Sequence, residues 1–272
     1  MDIKTALSQL TKWFEDYVTG FASNDPDSRE NIDLKKNHTI RVRNEIIDIG
    51  NSINLNKEDM YIAEACALLH DIGRFEQLKR YGTFSDARSE NHALLGVKII
   101  TENNVLKNFS PEAGKIIIHS VGCHNMSSIP ETDNKDRPVF LELVRDADKI
   151  DILHVVTEYY KNSPSGSNRA LEMNLPDTDI ISEAVCEPLA KGHIALIKDL
   201  RSLNDFKLYQ MGWIYDLNFS RSLQIIKERG YLELLRDALP KSSQTVEEIY
   251  QITSTFLENK IADPKNIYAV SH

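Results

Sequence analysis

Six side chains of metal-ligating type recur along the chain at wide intervals: His38, His70, Asp71, His92, His124 and Asp148. The adjacent pair in Leu68-Leu69-His70-Asp71-Ile72 stands at the polar end of an apolar helical run. Neutral imidazole and carboxylate together suit a divalent metal: iron, manganese, cobalt, nickel or magnesium. Thiolate-preferring structural zinc is not indicated. The pair alone is also compatible with a buried structural contact. The spacing favours the metal reading. Gaps of 32, 21, 32 and 24 residues put the ligands on different helices, which a bundle can converge on one cavity. Six ligands suit two ions, whereas one ion needs only His38, His70, Asp71 and Asp148.

Two histidines compete for one place. His119 and His124 are separated by roughly 140° around a helix and cannot both face one site. Ile117, Val121 and His124 share a face, which places His124 inward and His119 nearer the surface. In RDADKID, Asp148 and Asp151 share a face with Ile152. Asp148 is the expected ligand, Asp151 a candidate for orienting a histidine or Lys149, and Asp146 points elsewhere. The alternative for this run is a solvated acidic face. His154, His193 and His272 fit no ligand spacing. Cys66 reads as core, and Cys123 as packing beside His124.

Helices must position these groups. Ile3, Leu7, Leu10, Phe14, Tyr17 and Phe21 form one stripe. Ala22–Arg29 reads as a loop, and a second helix is expected from about 34 to 52. Lys57-Glu58-Asp59 opens a third, ended near His70-Asp71 by Gly73. Residues 74–90 read as loops or short helices. Further helices are expected at 91–103, 111–124, 136–161, 180–201, 203–238 and 244–260, with Ser110 as N-cap before Pro111. Residues 161–179 are the clearest irregular stretch, a candidate mobile segment. No alternation calls for a sheet, so the fold class is all-α. The expectation is one domain spanning 1–272, with a motif-bearing core at about 34–160 and a C-terminal extension at about 180–262.

With 272 residues and 41% apolar composition, the chain can bury a substantial core. Its net charge of −9 argues against a partner that is extended nucleic acid. Local cations can still admit a small anion. Three scattered cysteines, with no CxxC, fit a reducing compartment. No apolar leader opens the chain and no run reaches membrane-spanning length. The expectation is a cytoplasmic protein with no membrane partner.

In order, H…HD…H…H…D resembles the HD-domain superfamily of metal-dependent phosphohydrolases. The matching stretches are KKNHTIRV, CALLHDIGRF, ENHALLG, SVGCHN and RDADKID, within residues 35–152. The dipeptide HD is weak by itself; HDIG after an apolar helix with a later DxDKxD-like run is specific. ENHALLG followed by His-Asn resembles the binuclear branch, which includes HD-type diadenosine tetraphosphate hydrolases and HD-GYP phosphodiesterases. HDIGRFEQ…RYGTF and MGWIYDLNFSRSLQIIKERGYLE are similar to a bacterial subgroup of HD hydrolases without a settled substrate. The chain lacks the GYP run after His124-Asn125. It also lacks the HDxxED pattern of guanosine tetraphosphate hydrolases, because Arg74-Phe75 stand there.

The resemblance implies that His38, His70, Asp71 and Asp148 are core metal ligands and that His92 and His124 hold a second ion. It implies Asp71 as the bridge, and Lys149 as a phosphate contact. Hydrolysis by metal-activated water would follow, on a small phosphate ester such as a nucleotide or phosphorylated metabolite. Asp71 or a neighbouring carboxylate is then a candidate proton acceptor. Lys149 and Arg74 are candidate phosphate clamps, although Arg74 also suits a helix C-terminus. Arg145 and Arg41 are weaker candidates. Glu76, Lys79, Arg80 and Tyr81 are candidates for shaping access. Phe75, Phe84 and Tyr81 could stack a base, with local packing the simpler reading. A di-iron oxygenase and a non-catalytic nucleotide-binding module are the competing readings. WIYDLNF is a candidate for pocket lining or for a contact in a homo-oligomer.

Overall fold

The structure is a computed structural model that describes residues 2–129, 138–162, 168 and 171–262. His272 and parts of the expected 161–179 stretch lie outside the described residues, as do the first two residues of the helix expected from 136. The described residues are all-α, with no strand among them. Two compact units divide the chain, Met1–Asp148 and Lys149–His272.

In the first unit, α1 (Ile3–Thr19) is capped by Asp2, which accepts from Thr5 N. It buries Leu7, Leu10, Phe14 and Val18. Helix α2 (Pro26–Ser52) starts well before the expected residue 34. Asp25 accepts from Ser28 N and Pro26 occupies the first turn, so part of the expected Ala22–Arg29 loop is a helix start. Helix α3 (Lys57–Leu69) is buried from Ile62 to Leu69, which makes it the central rod of this unit. Packed helices around it include α1, α2 and α6 (Pro111–Cys123). Ser110 caps α6 through Ala113 N, as the sequence indicates.

Gly73 does not end helical structure. Helix α4 (Ile72–Tyr81) begins one residue before it and packs on α5 (His92–Glu102). A Cβ on Gly73 would lie 2.1 Å from His92 O and 2.8 Å from Gly96 N. The missing side chain therefore permits close approach of two helices, which composition alone reads as a breaker. The stretch read as loops or short helices after Arg74 begins within this ten-residue helix, closed at Gly82 in the left-handed region, and continues through a short 3-10 turn at Asp86–Arg88. Phe75 is fully buried against Phe14 and Phe21, which is local packing.

Helix α7 (Pro138–Asn162) contains the boundary between the units. The second unit contains α8 (Glu183–Ala190), α9 (Leu203–Met211), α10 (Ser220–Glu228), α11 (Tyr231–Asp237) and α12 (Gln244–Ala262). Two single helices expected at 180–201 and 203–238 are therefore divided. Gly230, at φ +65°, supplies the left-handed residue between α10 and α11. Buried Asp205 accepts from Ser182 N, Ser182 Oγ and Arg201 N, fixing the connection before α9. Within WIYDLNF, Ile214 and Phe219 are core residues of this unit.

Candidate metal centre

The break between α3 and α4 falls on the His-Asp pair. His70 is the C-cap of α3 and Asp71 the N-cap of α4. On one continuous helix, neighbours project about 100° apart. The break frees both side chains to enter one cluster. Three other positions are also at or near helix ends or mid-helix on facing elements. His92 begins α5, His124 caps the C-terminus of α6, and His38 lies inside α2. His38, His70, Asp71, His92 and His124 are all buried, whereas the Asp148 side chain retains 20% exposure.

Two groups share Asp71. In the first, His38 Nε2 lies 3.2 Å from His70 Nε2 and 3.1 Å from Asp148 Oδ1. Asp71 Oδ2 is 3.5 Å from His38 Nε2 and 3.7 Å from His70 Nε2. In the second, His92 Nε2 and His124 Nε2 are 3.1 Å apart. Asp71 Oδ1 faces them at 3.3 and 3.9 Å. Each carboxylate oxygen of Asp71 thus serves one group. In the triplets His38–His70–Asp71 and Asp71–His92–His124, the ligand atoms lie within 4.8 Å of one another.

The proton positions, assigned from hydrogen-bond partners, fit a cation. His70 Nδ1 donates to Ala67 O at 2.7 Å, and His124 Nδ1 donates to Val121 O at 2.8 Å. Each ring satisfies a carbonyl of the preceding helical turn, which the helix end leaves unpaired. His92 Nδ1 donates to Asp86 Oδ2 at 2.7 Å. A neutral ring with its proton on Nδ1 has a lone pair on Nε2. Converging lone pairs and carboxylates form a ligand set for divalent ions.

Electrostatics favour the ligating form at Asp71, Asp148, His92 and His124, and oppose it at His70. Burial works against the Asp71 carboxylate, but Lys35, His70 and Arg74 hold its pKa well below the usual range. Lys35 Nζ is 2.7 Å from Asp71 Oδ2 and Arg74 Nε is 3.4 Å from Asp71 Oδ1. Burial likewise opposes Asp148, which the neighbouring His38 and His70 rings hold well down. Burial pushes His124 down to about 3, helped by His92 and His70. His92 is lowered by burial and then by Arg74. Against burial, Asp71 and Asp148 raise His70.

The remaining candidates divide by placement. His119 Nδ1 lies 3.8 Å from Cys123 Sγ, beside the cluster histidine His124. Asp146 and Asp151 are buried, so the acidic run is not a solvated face. Arg145 is 4% exposed and donates to His124 O and Met126 O. It holds the end of α6, a placement that occupies the guanidinium expected to contact substrate. Arg74 Nη1 donates to Gln77 Oε1, Phe84 O and Asp86 Oδ1, so this expected clamp braces the cluster from behind. Lys149 Nζ pairs with Asp216 Oδ2 at 2.7 Å in the second unit. Glu76 pairs with Arg80 one turn on, at 2.7 Å. Sequence reasoning overlooked Lys35, Gln77 and Asp86. Lys35 sits one turn before His38, the available signal. Asp86 lies in a polar run where nothing in the spacing distinguishes it.

A family model for the HD domain matches residues 36–154. No curated protein and no solved structure matches the chain. Residues 36–154 therefore match the HD domain family, and the His/Asp cluster they carry is compatible with that family's metal site.

Proposed function

We propose that the protein is a metal-dependent phosphohydrolase acting on a small phosphate ester, a nucleotide or phosphorylated metabolite. The observation that carries this reading is Asp71, whose two oxygens face separate histidine groups. His38, His70, Asp71 and Asp148 would hold one divalent ion, and Asp71, His92 and His124 a second. Bound there, divalent ions supply a water of lowered pKa and neutralise phosphate oxygens.

The chain's own residues set the conditions for that chemistry. Asp71 is held ionised by Lys35 and Arg74, so it serves as a ligand and is a poor proton acceptor. That weakens Asp71 as the candidate proton acceptor. Lys35 is 84% covered, with its ammonium over the Phe84 ring at 5.5 Å. Its position against Asp71, at the edge of the ligand cluster, supports a role as a cation for substrate phosphate beside Arg74 and Lys149; all three are ion-paired in this structure.

The test is a phosphate-release screen over nucleotides and sugar phosphates with Mn²⁺, with and without chelator. Release that needs the metal and disappears in Asp71→Ala supports the proposal. Oxygen consumption with bound iron and no phosphate release would favour the di-iron oxygenase reading, which uses the same ligands.

A further inference from the structure

We infer that Asp86 is the positioning residue of the His92–His124 group, and that it sets the affinity of this group for its ion separately from the first. The inference rests on the metal-binding reading above.

Of the three rings with assigned protons, His70 and His124 donate to backbone carbonyls. His92 instead donates to a carboxylate, with both Asp86 oxygens within 2.9 Å of Nδ1. An ionised acceptor fixes the tautomer, orients the ring and strengthens Nε2 as a donor to a metal. Asp86 is itself held from three sides. Gln77 Nε2 donates to Oδ1 at 2.8 Å, Arg74 Nη1 to Oδ1 at 3.1 Å, and Asn125 Nδ2 to Oδ2 at 3.1 Å. Gln77 is fully buried, and its amide also bonds Ser89 Oγ and Glu90 O, so the clamp is rigid.

Capping does not explain this arrangement. Asn91 already caps α5 through Ala93 N and Leu94 N, while Asp86 reaches His92 N only at 3.4 Å. Asn125 directly follows His124, so Asp86 ties together the chain around both histidines of the group. Through Arg74, the same carboxylate is linked to Asp71 Oδ1, the oxygen that faces this group.

The experiment is calorimetric titration of metal-free protein with Mn²⁺, comparing wild type with Asp86→Asn. The near-isosteric amide should weaken one of two ions by about 10–100-fold and leave the other unchanged. Asp86→Glu, which restores the charge, should recover part of the loss. Imidazole ¹⁵N spectra of the metal-free proteins should show His92 leaving the Nδ1–H tautomer in Asp86→Asn alone. If Asp86→Asn loses helicity, Asn125→Ala replaces it, and weakening of the same ion is expected. Wild type binding two ions with equal retention of both in the variant overturns the inference, as does a wild type that binds only one. A wild type that binds none overturns the metal reading itself.

Discussion

His92 Nε2 and His124 Nε2 lie 3.1 Å apart although the Nδ1 protons of both rings are committed elsewhere, to Asp86 and to Val121 O. Two facing lone pairs repel, and a shared cation converts that repulsion into binding. Metal and fold are therefore linked: an ion that binds only the folded state stabilises it. At about 100 times its Kd, each ion adds roughly 2.7 kcal/mol. For a chain of this size that corresponds to about 5–10 °C. Calorimetry with Mn²⁺ and then with excess chelator should show a drop of that order, and an unchanged transition would contradict the linkage.

Acid should act on the metal-free protein in two opposing ways. His124 and His92 have lowered pKa values when folded, so the unfolded chain takes up protons near pH 6.5 that the folded chain refuses. The His124 contribution to stability falls as pH drops from about 6.5 toward 3, and that of His92 falls in the same direction. His70 is raised, so its contribution is present below the unfolded pKa and is lost as pH rises through the folded one. Urea unfolding at pH 7.5 and pH 5 should show a smaller acid loss in His124→Asn than in wild type. His70→Asn should show a larger loss. Equal pH dependence in all three proteins would refute the assignment.

Gly73→Ala should be disproportionately damaging for one methyl group. The new Cβ meets backbone, His92 O at 2.1 Å, and not a side chain that can swing away. Relief requires α4 and α5 to separate, at about 1–3 kcal/mol or more. The same movement displaces His92 from His124. Denaturant midpoints and metal content should fall together, and loss of neither would contradict the packing described.

Arg145→Ala should behave as a structural lesion. Its guanidinium bonds the carbonyls of His124 and Met126, and its removal leaves both without that donor. Hydrogen bonds from a charged group contribute roughly 1.5–3 kcal/mol each. The expected signature is lower stability and weaker Mn²⁺ binding. Full stability with a raised KM for phosphate substrate would instead place Arg145 at the substrate.

Much of the first unit was legible in the sequence because its signals are local. Ser110-Pro111 announces a helix start, and the apolar stripe of α1 predicts which residues face inward. Convergence of the six ligand candidates followed from wide spacing on an all-helical chain. Gly73 was misread because its purpose is contact with α5, about twenty residues away, which a window around the glycine does not contain. Asp86, Gln77 and Lys35 were missed for a related reason. Their roles depend on a partner brought close by packing, as Lys35 is to Asp71, 36 residues on. Gly230 is a local signal, present in the sequence, for the division of the expected 203–238 helix, since its φ of +65° separates α10 from α11.

The most direct test of the whole account is elemental analysis after reconstitution with Mn²⁺, comparing wild type with Asp71→Ala while helicity is checked by circular dichroism. Because one carboxylate serves both histidine groups, two ions per chain are expected in the wild type and fewer than one in the variant. Wild type without bound metal, or a folded variant that keeps both ions, would contradict it.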